Sequence, residues 1–176
     1  MHTAMTWEQI CDDPHLRDLP YKIEQDRFGR IVMSPVKPKH GGHQGEIYRL
    51  LRDLLPGWTV IIECAVDTPE GVKVPDVTAM PRGRVPDWTE VPHLSLAPDL
   101  CVEVPSRGNN AAEMEDKRCH YASLGCREFW TCSEGGRMKF SARSPADLFA
   151  ALQSARSFQY RFASSDRVAI RGACAA

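Results

Sequence analysis

No stretch of this 176-residue chain reaches the roughly 18 consecutive apolar residues of a membrane-spanning helix. The N-terminus carries no basic segment followed by an apolar core, so no secretory signal is read and the cytoplasm is the expected compartment. An excess of charge of one sign is missing too. The formal net charge is −1, which excludes a global cationic pull on nucleic acid. The first hundred residues are net acidic and the remainder net basic, which leaves room for a basic surface beside an acidic site. There is no CxxC pair among the seven cysteines. An odd number, several inside apolar runs, reads as small buried hydrophobes of a reducing compartment. Cys119, Cys126 and Cys132 have the wrong spacing for the usual zinc knuckles. Internal repeats and low-complexity tracts are absent. What is present is 43% apolar residues, enough for a core, in a length that fits one domain over 1–176.

In chain order, Thr6 is positioned to cap a short helix that Pro14 stops. Residues 21–25 and 30–34 alternate around the turn residues Asp26 and Gly29 and read as an N-terminal β-hairpin. This hairpin reads as a cap on a sheet edge, not as part of a site. Ile47, Leu50, Leu51, Leu54 and Leu55 share one face of a helix over 43–55, which Pro56-Gly57 ends. His40 and His43 are placed on the preceding loop and its junction. Residues 59–66 form a buried strand, and VKVPDVTAM (72–80) another, where Pro75 marks an edge or a bulge that re-aims Asp76. The Pro-rich stretch 81–98 is a long loop that could border a site. DLCVEV (99–104) is a strand, and Met114, Lys117, Tyr121 and Leu124 form one stripe of the next helix, ended by Gly125. Residues 127–132 and 137–143 form a C-terminal hairpin; a short helix over 146–154 and two edge strands, FQYRF and RVAI, follow.

The chemistry lies in three of these elements. Asp76 and Glu103 are single carboxylates on successive apolar strands. A buried unpaired charge is costly, so a divalent cation shared by the two would explain both. Lys117 shares a face with core residues and must snorkel or meet a carboxylate. Each has a plainer reading: Asp76 as a turn residue beside proline, Glu103 on an exposed strand face, Lys117 paired with Glu113 on the helix surface. Glu46 reads either as a helix-dipole complement or as an extra metal carboxylate. His40 and His43 are either solvated or hydrogen-bonded at the mouth of the site.

The order of these features carries a resemblance. His40 with its helix, Pro75-Asp76, Glu103-Val104-Pro105-Ser106, Lys117/Tyr121/Gly125 and then REFW resemble the Uma-two family of putative restriction endonucleases, within the PD-(D/E)XK superfamily. The similarity spans about residues 18–170. It implies an α+β or α/β fold, restriction-endonuclease-like, in which helices flank a mixed β-sheet of four or five strands. It also implies Mg²⁺- or Mn²⁺-dependent hydrolysis of DNA phosphodiesters. The usual lysine, two residues after the acid, is replaced by Pro105, and Lys117 takes the migrated place on the next helix.

In that reading Asp76 and Glu103 are metal ligands, with the carbonyl of Val104 as a third candidate and Glu46 as a further one. Lys117 orients water or offsets charge on phosphate. His40, His43, Ser106 and Tyr121 are accessory. DNA is the expected partner, a homodimer is the assembly considered, and neither acid is expected to be needed for packing. The alternative is a catalytically inactive module of the same fold that binds DNA or a protein, since fold does not fix function.

Overall fold

The computed structural model describes residues 4–84, 87–106, 111–142 and the strand 167–170. The first helix, α1 (Trp7–Asp12), starts on a complete capping box between Thr6 and Gln9, and Trp7 and Ile10 are buried. An antiparallel hairpin follows, β1 (Tyr21–Gln25) and β2 (Ile31–Pro35). Its turn is tied by Asp26 Oδ1, which accepts from the amides of Phe28 and Arg30, both at 2.9 Å.

The second helix, α2, runs from Pro38 to Leu54, with Pro at its N-terminal end. It begins five residues before the expected start at 43, so both histidines lie on the helix. A proline at the first helical position fits, because its missing N–H is one that the helix leaves unbonded anyway. The helix buries Gln44, Ile47, Leu50 and Leu51.

The remaining strands are β3 (Trp58–Ile62), β4 (Val66–Thr68), β5 (Gly71–Lys73), β6 (Val77–Pro81), β7 (Leu100–Glu103), β8 (Glu128–Cys132), β9 (Met138–Ala142) and β10 (Arg167–Ile170). The helix α3 (Ala111–Ser123) lies between β7 and β8. A six-stranded sheet has the order β10-β9-β8-β7-β6-β3. It is mixed: β7–β8 and β9–β10 are parallel, and the other neighbours are antiparallel. The sheet is one strand wider than the resemblance implied, because RVAI adds β10 beside β9. The expected hairpin of 127–143 is β8–β9 and lies inside this sheet. The expected helix 146–154 and the FQYRF strand lie outside the described residues.

Two expected strands are each broken. The run 59–66 divides after Ile62, where Glu63 takes a positive φ of 54°. VKVPDVTAM divides around Pro75 into β5 and β6, so the proline sits at a strand break rather than a bulge. The short pieces β4 and β5 pair as a separate hairpin. Gly71 has φ +91°, and a Cβ there would run into the backbone carbonyl of Gln25. The glycine lets this hairpin lie against the end of β1.

The core has two faces. Ile47, Leu51, Val60, Val77, Leu100, Val102, Trp130 and Phe140 pack on the α2 side. Trp130 and Phe140 meet edge to face at 4.8 Å. Cys101, Phe129, Tyr121, Cys126 and Val66 pack on the α3 side. The alternation along β7 sends Leu100 and Val102 to one face and Cys101 to the other. Glu103 continues that alternation toward α3. Of the cysteines, Cys64, Cys101, Cys126 and Cys132 are buried thiols, as expected, whereas Cys11 is exposed. Cys119 is disulfide-bonded rather than free.

The loop after β6 does not line the cleft through its described residues. Leu94 exchanges backbone bonds with Ala65 and Asp67, both 2.8 Å, and Pro92 accepts from Trp7 Nε1 at 2.9 Å. Its base is held by the Arg84–Asp99 ion pair.

Candidate active site

The antiparallel pairing of β6 with β7 sets Val77 opposite Val102. One step further along this register, Asp76 at the start of β6 stands opposite Glu103 at the end of β7. Two strands running in opposite directions therefore deliver both acids to one end of the sheet. Both are almost completely buried, at 1% and 3% exposure. They border a cleft of about 200 Å³ that Lys22, Glu24, His40, Glu63, Ser106 and Lys117 also line.

Asp76 is heavily bonded. Its Oδ1 accepts from Lys22 Nζ at 2.7 Å, His40 Nε2 at 3.1 Å and Gln44 Nε2 at 3.2 Å. Its Oδ2 accepts from the amide of Val104 at 2.6 Å. Burial alone would raise its pKa, but the His40 hydrogen bond and the Lys22 ammonium hold it far below the usual carboxylate range. Glu103 is less well supplied. Its Oε1 accepts from Lys117 Nζ at 3.2 Å and Tyr121 Oη at 3.2 Å, and its Oε2 lies 3.8 Å from Lys22 Nζ. Here burial outweighs Lys117 and Lys22, and the pKa rises. The two acids are thus pushed apart in opposite directions.

Lys117 projects from α3 into the cleft. It pairs with Glu103 and with Glu24 Oε1 at 3.1 Å. Burial works against its charge, but Glu103 and Glu24 outweigh that and hold the ammonium charged well above its ordinary range. Tyr121 lies one turn along the same face, fully buried, with its phenol pKa pushed well up by burial and by Glu103. Lys22 and Glu24 enter from β1, where alternation puts them on one face and Ile23 on the other, against Val72 and Val74. Burial opposes the charge of Lys22, yet Glu103 and Asp76 raise its pKa. Glu24, whose carboxylate also accepts from the Val74 amide at 3.0 Å, is lowered by Lys117 and Lys22 against its burial. His40 is raised, first by its bond to Asp76.

A family model for Uma2, described as putative restriction endonuclease, matches residues 11–161. The chain belongs to the Uma2 family. A crystal structure of a putative nuclease belonging to DUF820 from Anabaena variabilis ATCC 29413 is similar, with a TM-score of 0.56 at 18% identity. The match covers 73% of this chain and 74% of that one, and at such identity it speaks for the fold. No curated protein matches the chain. The family is one of putative restriction endonucleases and the fold is restriction-endonuclease-like, in agreement with the resemblance read from the order of residues.

Within this Uma2 chain the structure brings Asp76, Glu103, Lys117, Tyr121, His40 and Ser106 to one cleft. It does not bring Glu46 there. Glu46 ion-pairs with Arg49 along the outer side of α2, Oε1 to Nη2 at 2.9 Å, because its helix position points away from the Gln44 and Ile47 face. His43 is also placed elsewhere: its Nε2 lies 3.3 Å from the carbonyl of Glu134 in the β8–β9 turn. At Val104 the group seen in use is the amide, which holds Asp76.

Sequence reasoning missed Lys22, Glu24, Gln44 and Glu63. Lys22 and Glu24 were visible as the polar face of a five-residue alternating strand. Gln44 falls four residues after His40 and three before Ile47, a helical stripe hidden by starting the helix too late. Glu63 carries no such signal; its left-handed backbone and its contact with Gln44 at 3.4 Å come only from the three-dimensional structure.

Proposed function

We propose that this protein is a metal-dependent endonuclease that hydrolyses phosphodiester bonds of DNA, using Mg²⁺ or Mn²⁺. The observation that supports this most is the convergence of Asp76 and Glu103 at one end of the sheet, with the Lys117 ammonium on Glu103. The donor set suits a hard cation. Mg²⁺ takes one or two carboxylates and completes its shell with water and phosphate. Among the described residues no three His, Cys, Asp or Glu side chains form a cage, so an ion here would rest on Asp76, Glu103 and solvent. The carbonyl of Val104 is the third protein oxygen in this reading.

When bound, the ion supplies Lewis acidity toward a phosphate oxygen and a more acidic water. The chain's own residues do the rest. His40, Gln44 and the Val104 amide hold the Asp76 carboxylate in place, and Tyr121 does the same for Glu103. Lys117, kept cationic by Glu103 and Glu24, stands ready to orient the attacking water or to offset charge that grows on the phosphate. Val36 and Met114 are apolar members of the cleft lining.

The test pairs calorimetric Mn²⁺ titration with nicking of supercoiled plasmid. Wild type should bind Mn²⁺ and cut; Asp76→Asn and Glu103→Gln should lose both, and Lys117→Met should keep the ion and lose about 10²-fold or more in rate. Unchanged Mn²⁺ affinity in both acid variants would remove their ligand roles. A wild-type protein that neither takes up Mn²⁺ nor cuts any DNA form would favour a binding module.

A further inference from the structure

Lys22 occupies the place where the two acids converge. Its Nζ is 2.7 Å from Asp76 Oδ1 and 3.8 Å from Glu103 Oε2. Among the described residues it is the cation that touches both. Lys117 reaches Glu103 and Glu24, while His40 and Gln44 reach Asp76. The Lys22 side chain is 12% exposed, so its ammonium is held inside the cleft rather than at the rim. Two buried carboxylates side by side repel one another, and an ammonium between them offsets that repulsion in the way a divalent ion would. The two cations compete for the same oxygens.

Resting on the reading of this cleft as a metal-dependent nuclease site, we propose that Lys22 is a built-in counter-ion. It fills the metal position until an ion displaces it, and it then meets the scissile phosphate. The charges of the cleft support both halves. Among the carboxylates and ammoniums paired at the two acids, Asp76, Glu103 and Glu24 against Lys22 and Lys117 leave one negative charge in excess. A divalent ion reverses that excess to one positive charge, and a phosphodiester cancels it. Without Lys22 the ion alone would bring the cleft to neutrality, and a phosphate would then be in excess. Lys22 therefore opposes the ion alone and favours the ion together with phosphate. The strand geometry permits the move: Lys22 is carried by the two-stranded hairpin, outside the six-stranded sheet that fixes the acids. Its long flexible stem lets the ammonium shift without moving that strand.

The experiment combines Mn²⁺ titration with a lysine footprint. In calorimetry Lys22→Met binds Mn²⁺ at least about tenfold tighter than wild type, and the gain exceeds that of Lys117→Met. In wild type, acetylation of Lys22 by a small acylating reagent, read by mass spectrometry, rises several-fold when Mn²⁺ is added, and that of Lys117 does not follow. At saturating Mn²⁺ the plasmid KM of Lys22→Met rises several-fold. Mn²⁺ uptake by wild type but no gain in Lys22→Met overturns the displacement and leaves the nuclease reading standing. A Lys22 footprint indifferent to Mn²⁺ overturns it too, and this readout decides the matter if Lys22→Met fails to fold. An unchanged KM overturns the phosphate contact. Absence of Mn²⁺ uptake in both wild type and Lys22→Met removes the metal reading itself, and the proposal with it.

Discussion

Asp76 and Glu103 differ in what holds them, and that difference sets what their removal does. Asp76 satisfies an ammonium, an imidazole, a side-chain amide and a backbone amide at once. Its depressed pKa means that its charge stabilises the fold at all pH values above the ordinary aspartate range, a contribution lost as pH falls through the lower folded value. The expectation that neither acid matters for packing therefore does not hold for Asp76. Asp76→Ala would leave the buried Lys22 ammonium and the Val104 amide short of partners, at a cost of about 3–5 kcal/mol. Chemical denaturation at pH 7 measures this, and a loss below about 1 kcal/mol would contradict it. Glu103 has the opposite sign. Its folded pKa lies above the ordinary 4.5, so the native state resists the charged form, and that cost is fully present above the folded value. As pH falls through the folded value the native state takes up the proton first and the cost fades. In the metal-free protein Glu103→Gln should accordingly melt higher than wild type near pH 8, with the advantage shrinking as pH approaches 4.5. An advantage that grows on acidification would contradict the assignment.

At the scale of elements, α2 departs from what local propensity favours. Gly41, Gly42 and Gly45 lie inside it, and a Cβ at any of the three would meet nothing within 4 Å. Each glycine weakens a helix interior by about 1 kcal/mol relative to alanine. Gly42→Ala and Gly45→Ala should therefore each stabilise the protein by about 0.5–1 kcal/mol. Urea unfolding of the single and double variants checks this, and a destabilised double variant would mean that the open space is used. Gly71→Ala should go the other way by more than about 1 kcal/mol, since it meets both a positive φ and the Gln25 carbonyl. These glycines also explain where the sequence was hard to read. His-Gly-Gly-His looks like a loop, so the sequence places the helix start at 43 and separates His40 from Gln44. Strands that are apolar and central, such as β6, β7 and β8, were legible because burial on both faces leaves a continuous hydrophobic run. Asp76, Glu103 and Lys117 were legible because each breaks an apolar pattern. Lys22 and Glu24 were not, because a half-exposed hairpin strand carries lysine and glutamate as a matter of course, and only tertiary packing turns that face inward. The breaks at Glu63 and Pro75 are likewise set by packing, which decides where an extended run must turn.

At the scale of the whole molecule, charge predicts how metal and DNA depend on each other. The net charge of −1 gives no general attraction to a polyanion, and the carboxylates paired at Asp76 and Glu103 outnumber the ammoniums beside them. In the proposed function, duplex binding should then be weak without a divalent ion and should strengthen when the ion reverses the sign of the cleft. Thermodynamic reciprocity requires the duplex to tighten ion binding by the same factor. Lys117→Met, expected to bind the ion but cut slowly, keeps the duplex intact long enough to measure; in it the ion takes the same paired groups from two negative charges to neutrality, which removes the repulsion of the phosphate without reversing the sign. Fluorescence anisotropy of a labelled duplex should show at least about a tenfold gain in affinity on replacing EDTA with Mg²⁺, corresponding to a coupling of about 1.4 kcal/mol. Because the effect comes from a buried site rather than from a basic surface, the ratio of the two affinities should vary little between moderate and high salt, while both absolute affinities fall. Equal affinity in EDTA and Mg²⁺ would place the DNA contacts away from Asp76 and Glu103. A ratio that collapses with salt would instead assign the gain to screening of exposed acids on the net-acidic first half of the chain.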